Sequence, residues 1–399
     1  MNLATTAVLL FGLATGVALL ARALRIPYTV ALVAAGLVFG PTHALGAAHL
    51  TKELLYAVFL PGLLFEAAFH LDARQFWLDR GAILSLALPG VVLALGVTAP
   101  LLASNSPLVP VFAWPSALVF AALITATDPI AVVALFKTLG APRRLGVIIE
   151  GESLVNDGSS VVLYTIAVGI ATGAEVGLSR AAFDFVRIVA LGVLVGAAVG
   201  FLCSELIARI DDPLIEIALT TITAYASFIL AEQFHVSGVL ATVAAGMVTG
   251  SYGAPGAMSP STRVAVESFW QYVAFAFNSI VFLLIGFEVS VGRLLHSWAP
   301  IAGAYVVVMA ARAGIVFLVL AIFRRSSKPI PWRWGAVLTW GGLRGALSMV
   351  LALALGDGFP ERSLVVTVTF GVVILSILVN GLTIGPLLKR LGLREPLGE

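Results

Sequence analysis

Along most of this chain, apolar residues run for roughly 17 to 25 positions with few charges, and short polar clusters separate the runs. A helix needs about 20 such residues to cross the hydrocarbon core of a bilayer. Thirteen runs are legible, near 3–22, 27–43, 52–70, 81–104, 111–138, 145–172, 182–209, 213–234, 236–252, 264–291, 297–323, 332–356 and 363–388. The breaks carry helix stoppers and charges: "RALRIP", "GAPRRLG", "RIDDP" and "RRSSKPIPWR". "GSYGAPGAMSPSTR" is the longest polar break and predicts a short loop. No basic residue precedes the first run, and Arg22 and Arg25 follow it. It therefore predicts a retained helix, not a cleaved leader.

Composition turns these runs into an all-α polytopic membrane protein. Of 399 residues, 60% are hydrophobic and 11% charged, with mean hydropathy +1.06. A soluble domain carries about 25% charged residues. Cys203 is the only cysteine, so no intrachain disulfide forms. His43, His49, His70, His235 and His296 show no metal-ligand spacing and read as loop and helix-end residues. No phosphate-binding G-x-x-x-x-G-K-[ST] occurs, and nothing suggests a nucleotide, a nucleic acid or a cofactor.

Charge placement orients the spans. One set of ends holds 16 Lys and Arg, Arg74, Arg80, Arg143, Arg144 and Arg394 among them. The other holds five: Lys52, Arg180, Arg187, Arg293 and Arg362. The positive-inside rule makes the richer side cytoplasmic, with the N-terminus outside and the C-terminus inside a plasma membrane.

An internal repeat is present. "IPYTVALVAAGLVFG" in the second run resembles "VSGVLATVAAGMVTG" in the ninth. An offset of seven spans reverses orientation, which is the pattern of inverted-topology repeats. The same offset pairs "TATDPIAVV" in span 5 with "TWGGLRGALS" in span 12. Pro129 interrupts the first, and Gly341, Gly342 and Gly345 loosen the second. Two discontinuous helices at matching places in inverted halves point to an ion site near the midplane. Asp128 and Arg344 are positioned to neutralise the freed helix ends.

Several charges lie deep in apolar runs, where an unpaired charge is costly. In "GESLVNDG" the i,i+4 spacing puts Ser153 with Asp157 on one face and Glu152 with Asn156 on its neighbour. The first face offers oxygen donors suited to a small hard cation. The second needs a positive partner, and Arg312 in "VVVMAARAGIVFLV" is an available one. Glu66 in "LPGLLFEAAFHLD" is either a second acid at the cation site or a snorkelling acid near the membrane face.

"TATDPIAVVALFKTLGAPRRLGVIIEGESLVNDGSSVVLY", "TWGGLRGALSMVLALAL" and "LLFEAAFHLD" resemble the signature segments of the monovalent cation/proton antiporters of the sodium/proton exchanger type. The resemblance implies a homodimer of two-part protomers with crossed, unwound helices in spans 5 and 12. Scaffold helices would occupy 1–78 and 212–292, transport-core helices 80–172 and 297–392, and a linker helix 180–210. It implies Asp157 as the ion- and proton-carrying acid, Ser153, Thr127 and Glu66 as co-ligands, and Glu152–Arg312 as the core ion pair. Asn156, Asp128 and Arg344 would support them.

One carboxylate serving two ligands then gives obligatory exchange of Na+ or Li+ for H+. Deprotonated Asp157 binds the cation, protonated Asp157 does not, and with Asn156 as its neighbour the exchange is one for one. A K+/H+ antiporter of the same fold, a cation channel and an intramembrane hydrolase are the alternatives. The last lacks a midspan Lys or His and an H-E-x-x-H motif, so the chain does not read as an enzyme.

Overall fold

The computed structural model describes residues 3–24, 26, 28–40, 54–104, 112–174, 177–253, 258–288 and 291–393. Arg25, His43, His49, Lys52 and Arg394 lie outside them. The described residues are helical with no strand, as a chain must be where lipid cannot satisfy its backbone. Besides a short helix at Val291–His296, thirteen helices follow in order: α1 (Leu3–Leu24), α2 (Tyr28–Phe39), α3 (Leu55–His70), α4 (Ala73–Ala103), α5a (Trp114–Leu123) with α5b (Ile130–Leu139), α6 (Arg143–Ala171), α7 (Leu178–Ile207), α8 (Pro213–Gln233), α9 (Gly238–Val248), α10 (Pro260–Glu288), α11 (Trp298–Phe323), α12a (Trp334–Gly341) with α12b (Ala346–Leu353), and α13 (Arg362–Arg390). Eight of these are long and apolar enough to cross a bilayer unaided.

Two limits differ from the hydrophobic pattern. The fourth helix starts at Ala73, not near 81, so the expected scaffold–core boundary at 78–80 falls inside it. Its N-cap is Asp72, whose side chain accepts from the Gln75 amide at 3.1 Å. Polar letters in this turn look like a loop, but Asp79 is buried and held by Arg144 at 2.7 Å. Arg144 also donates to the Lys328 and Pro329 carbonyls, both at 3.1 Å, which ties the α11–α12 connection to α4 and α6. The predicted loop after the ninth span begins later than expected, because a π-helical turn, Thr249–Gly253, prolongs α9.

The repeat seen in the sequence is also a repeat of packing. In α2, a side-chain carbon added to Gly36 would overlap the Leu283 carbonyl and come within 2.7 Å of the Gly286 Cα on α10. In α9, one added to Gly246 would lie 2.9 Å from the Phe65 carbonyl and the Ala68 side chain of α3. Gly40 and Gly250, one turn on, press on Phe287 of α10 and Phe69 of α3 in the same way. Each "AAGxVxG" copy thus brings two helices to backbone contact through small residues four apart, a common arrangement in membranes. Helices α2 and α10 form one such pair and α9 and α3 the other, with α7 and α8 packed against α9. Helix α6 lies between α4 and α5a on one side and α9 on the other.

Alanine at Gly36 or at Gly246 is expected to lower stability by about 1–3 kcal/mol through overpacking. Thermal unfolding in detergent measures it, and an unchanged midpoint for either variant would contradict the close crossing.

Candidate functional site

The site forms where α5 and α12 lose their helical hydrogen bonds. Pro129 has no amide proton to give and disfavours helix at Asp128, so the chain is irregular from Thr125 to Pro129. In α12 the glycine-rich segment Gly342–Gly345 is irregular. Gly342 has no room for a side chain, because Arg312 fills that space, and Gly345 abuts Asp128. The two breaks cross and bond directly: the Asp128 amide donates to the Leu343 carbonyl at 2.7 Å.

The freed carbonyls of Thr125, Thr127, Leu338 and Trp340 all find donors. Arg344 donates to the Thr125 carbonyl at 2.9 Å, and Asn156 Nδ2 donates to the same oxygen at 2.9 Å. Ser153 Oγ donates to the Thr127 carbonyl at 2.5 Å. In α12a, Arg312 takes the Leu338 carbonyl at 2.9 Å and Asn380 takes that of Trp340 at 3.1 Å. Asp128 Oδ1 accepts from the Ile130 amide at 3.1 Å, capping the new start of α5b.

Helix α6 supplies two acids with opposite fates. Glu152 is buried and meets Arg312 in a two-pronged pair, at 2.9 and 3.1 Å. Such planar pairing satisfies both charges where water cannot. Asp157, five residues on, accepts the Thr127 backbone N–H, yet its Oδ1 has no hydrogen-bond partner. Asn156 bridges the two environments: Nδ2 also donates to Thr127 Oγ1 at 3.1 Å, and Oδ1 accepts from Ser160 at 2.8 Å.

Asp157 borders a cavity of about 660 Å³ that also reaches Ser153, Thr127, Asp128 and Glu66. Asp72 and Arg143, paired at 2.8 Å, also line it. The structure thus brings Asp157, Ser153, Thr127 and Asp128 together, and it sets Glu152, Arg312, Arg344 and Asn156 behind them as bonds to backbone and to each other. Glu66 shares the cavity, but its carboxylate is engaged by His70 at 3.2 Å. The sequence reading placed His70 among uninvolved helix-end residues; its i,i+4 spacing from Glu66 was the available signal. Asn380, in the π-helical turn Ser376–Asn380 of α13, was also missed, since nothing in "SILVN" announces an extra residue per turn. No cluster of three metal-ligating side chains occurs among the described residues.

The sequence model of the family described as sodium/hydrogen exchanger, transmembrane, matches residues 7–390. The chain belongs to this family. Among curated exchanger relatives, the Na(+)/H(+) antiporter NhaG of Bacillus atrophaeus is 36% identical over 396 residues, covering 96% of this chain and 74% of that protein. The Na(+)/H(+) antiporter NhaH of Halobacillus dabanensis is 35% identical over 401 residues, covering 96% and 97%. The solved structure of the sodium proton antiporter MjNhaP1 from Methanocaldococcus jannaschii superposes with a TM-score of 0.78 at 19% identity, covering 98% of this chain and 100% of that one. That likeness establishes the exchanger fold.

In this exchanger-family chain, removing one partner of the Glu152–Arg312 pair leaves a bare buried charge, a loss of about 3–5 kcal/mol. Arg312→Ala is therefore expected to lower the thermal midpoint strongly, and Glu152→Gln combined with Arg312→Gln to recover part of the loss. Strictly additive losses in the double variant would show that the two side chains act independently.

Proposed function

We propose that this chain exchanges Na+ or Li+ for H+ across a plasma membrane, by alternating access, with ion and proton competing for Asp157. The observation that carries this is the Asp157 carboxylate: it borders the cavity, keeps Oδ1 unpartnered, and has Ser153 and Thr127 hydroxyls and Asp128 around it. An unfilled carboxylate oxygen among oxygen donors suits a small hard cation or a proton, one at a time. The names of the relatives favour sodium. No group in this reading makes or breaks a covalent bond, so the gradient is the energy source and no cofactor takes part.

In this reading α4–α6 and α11–α13 form the moving core, α1–α3 and α8–α10 the scaffold, and α7 the link. Two copies pair through their scaffolds. The side rich in Lys and Arg is cytoplasmic, which makes the cavity between Asp157 and the Asp72–Arg143 pair the inward-facing access path. Gly158, next to Asp157, meets the Leu240 side chain of α9 with no side chain of its own. That smooth contact lies where core and scaffold must slide. An empty, charged Asp157 opposes the slide, because moving an uncompensated charge against apolar surface is costly. Binding either ligand removes that obstacle.

Asp157→Asn is expected to abolish sodium-driven proton flux in proteoliposomes carrying a pH dye while leaving the folded protein intact. Flux equal to wild type would remove Asp157 from the carrier role. Cation flux without proton movement in the unaltered protein would indicate a channel.

Asn156 cannot titrate, so one proton exchanges for one monovalent cation and no net charge moves. Sodium-driven exchange is therefore expected to be insensitive to a membrane potential imposed with potassium and valinomycin. A rate or end-point that tracks the potential would rule out the one-proton cycle.

A further inference from the structure

Helices α5, α6 and α12 line one part of the cavity that reaches Asp157, and α3 and α10 line another. The side chains that α3 and α10 present to it are apolar, with three exceptions. Glu66 and His70 hold each other at 3.2 Å. The third, Asn278 of α10, holds nothing: it is 9% exposed, and its amide has no hydrogen-bond partner among the described residues. The next residue is not in this position, since the Ser279 hydroxyl meets Tyr28 and the Phe275 carbonyl. The two other described asparagines, Asn156 and Asn380, are bonded through both ends of their amides.

An amide left unpaired in an apolar interior is costly, so its partner must come from what enters the cavity. We infer that Asn278 Oδ1 is a ligand of the transported cation, offered from α10, and that it serves the cation and not the proton. This rests on the exchange reading above. A side-chain amide oxygen is the same kind of donor as the backbone carbonyls that replace an ion's hydration shell in selectivity filters. Small hard cations take such neutral oxygens together with a carboxylate. The amide does not titrate, so it offers a proton no comparable site. Asp157 is thus common to both ligands, and Asn278 belongs to one of them.

The placement of Asn278 agrees with this role. Helices α6 and α10 are each 29 residues long, with Asp157 and Asn278 both in their middle third, near mid-membrane. One turn before Asn278, Ala274 also lines the cavity, and its small side chain leaves the approach to the amide open. Helix α10 packs against α12b, whose first residues, Ala346 and Leu347, border the same space. The amide therefore stands beside the broken segment of α12, on a helix that the exchange reading assigns to the scaffold. A cation held by Asp157 and Asn278 together would join α6 to α10, whereas a proton on Asp157 would not.

The test compares Asn278→Leu, which fills similar space without an oxygen, with Asn278→Asp, which keeps the oxygen and gives up the amide nitrogen. Sodium-driven proton flux is measured in proteoliposomes at alkaline pH, where few protons compete, with apparent KM and maximal rate read separately. In Asn278→Leu the KM for sodium is expected to rise about tenfold, the worth of one contact to a charged group. In Asn278→Asp it is expected to stay at or below the wild-type value. Binding is also read without transport, as the rise in thermal midpoint when sodium chloride replaces choline chloride. Asn278→Leu is expected to need about tenfold more sodium than wild type for the same rise. The midpoint in choline chloride shows whether each variant is folded, and Asn278→Ala takes the place of Asn278→Leu, on the same criteria, if that variant is not. A wild-type KM in the leucine variant would overturn the assignment and leave the amide to cavity water. An equal or greater rise in the aspartate variant would overturn it too, since a packing role is disturbed by both. Absence of sodium-driven proton flux from wild-type vesicles would instead overturn the exchange reading, while sodium stabilisation weakened in Asn278→Leu would still mark Asn278 as a cation ligand.

Discussion

Broken backbone inside an apolar interior must find its hydrogen bonds within the protein, because lipid offers none. The crossing of α5 and α12 meets this constraint, and the rest of the core is arranged to serve it. The Asp128 amide takes the Leu343 carbonyl, and side chains from α6, α11, α12 and α13 converge on the remaining oxygens. Arg312 answers two demands at once: its guanidinium neutralises Glu152 and caps the Leu338 carbonyl. Gly342 is bare because that guanidinium passes beneath it.

Beside the fully bonded Glu152, Asp157 is distinguished by what it lacks. Glu152 and Asp157 sit five residues apart on the same helix. One has both oxygens committed to an arginine, and the other leaves Oδ1 without a partner beside a cavity. Locked charges hold the core together as one body, while an unlocked charge is open to a ligand. Glu66 is intermediate, held by His70 one turn along its own helix.

Much of this was legible in the sequence, for physical reasons. Pro129 cannot donate the helical bond and Gly341, Gly342 and Gly345 weaken the helix, so the two breaks announce themselves. The glycines of the two "AAG" copies announce close helix crossings because only a missing side chain permits them. Deep charges in apolar runs predict partners, and Glu152 and Arg312 are found together. What hydropathy misreads is polarity that is buried but satisfied. The turn holding Asp79 resembles a loop until Arg144 is seen beside it, and α4 therefore begins earlier than its apolar run. The π-helical turn that aims Asn380 at the Trp340 carbonyl depends on tertiary fit, and no local pattern encodes it. The role of Ser160 in holding the Asn156 amide likewise depends on Thr125, 35 residues away, which lies 2.8 Å from its hydroxyl.

Asn156 has a consequence for how such a protein can change over generations. Its amide nitrogen caps the Thr125 carbonyl and holds the Thr127 hydroxyl, a task that needs a donor. A carboxylate in its place could do so only while protonated. An acid arising at this position would therefore add a second titratable group beside Asp157 and unseat the α5 break in the same step. A lineage could acquire that acid without penalty only after another side chain had taken over the carbonyl. The order of mutations, and not only their sum, would decide which descendants remain folded.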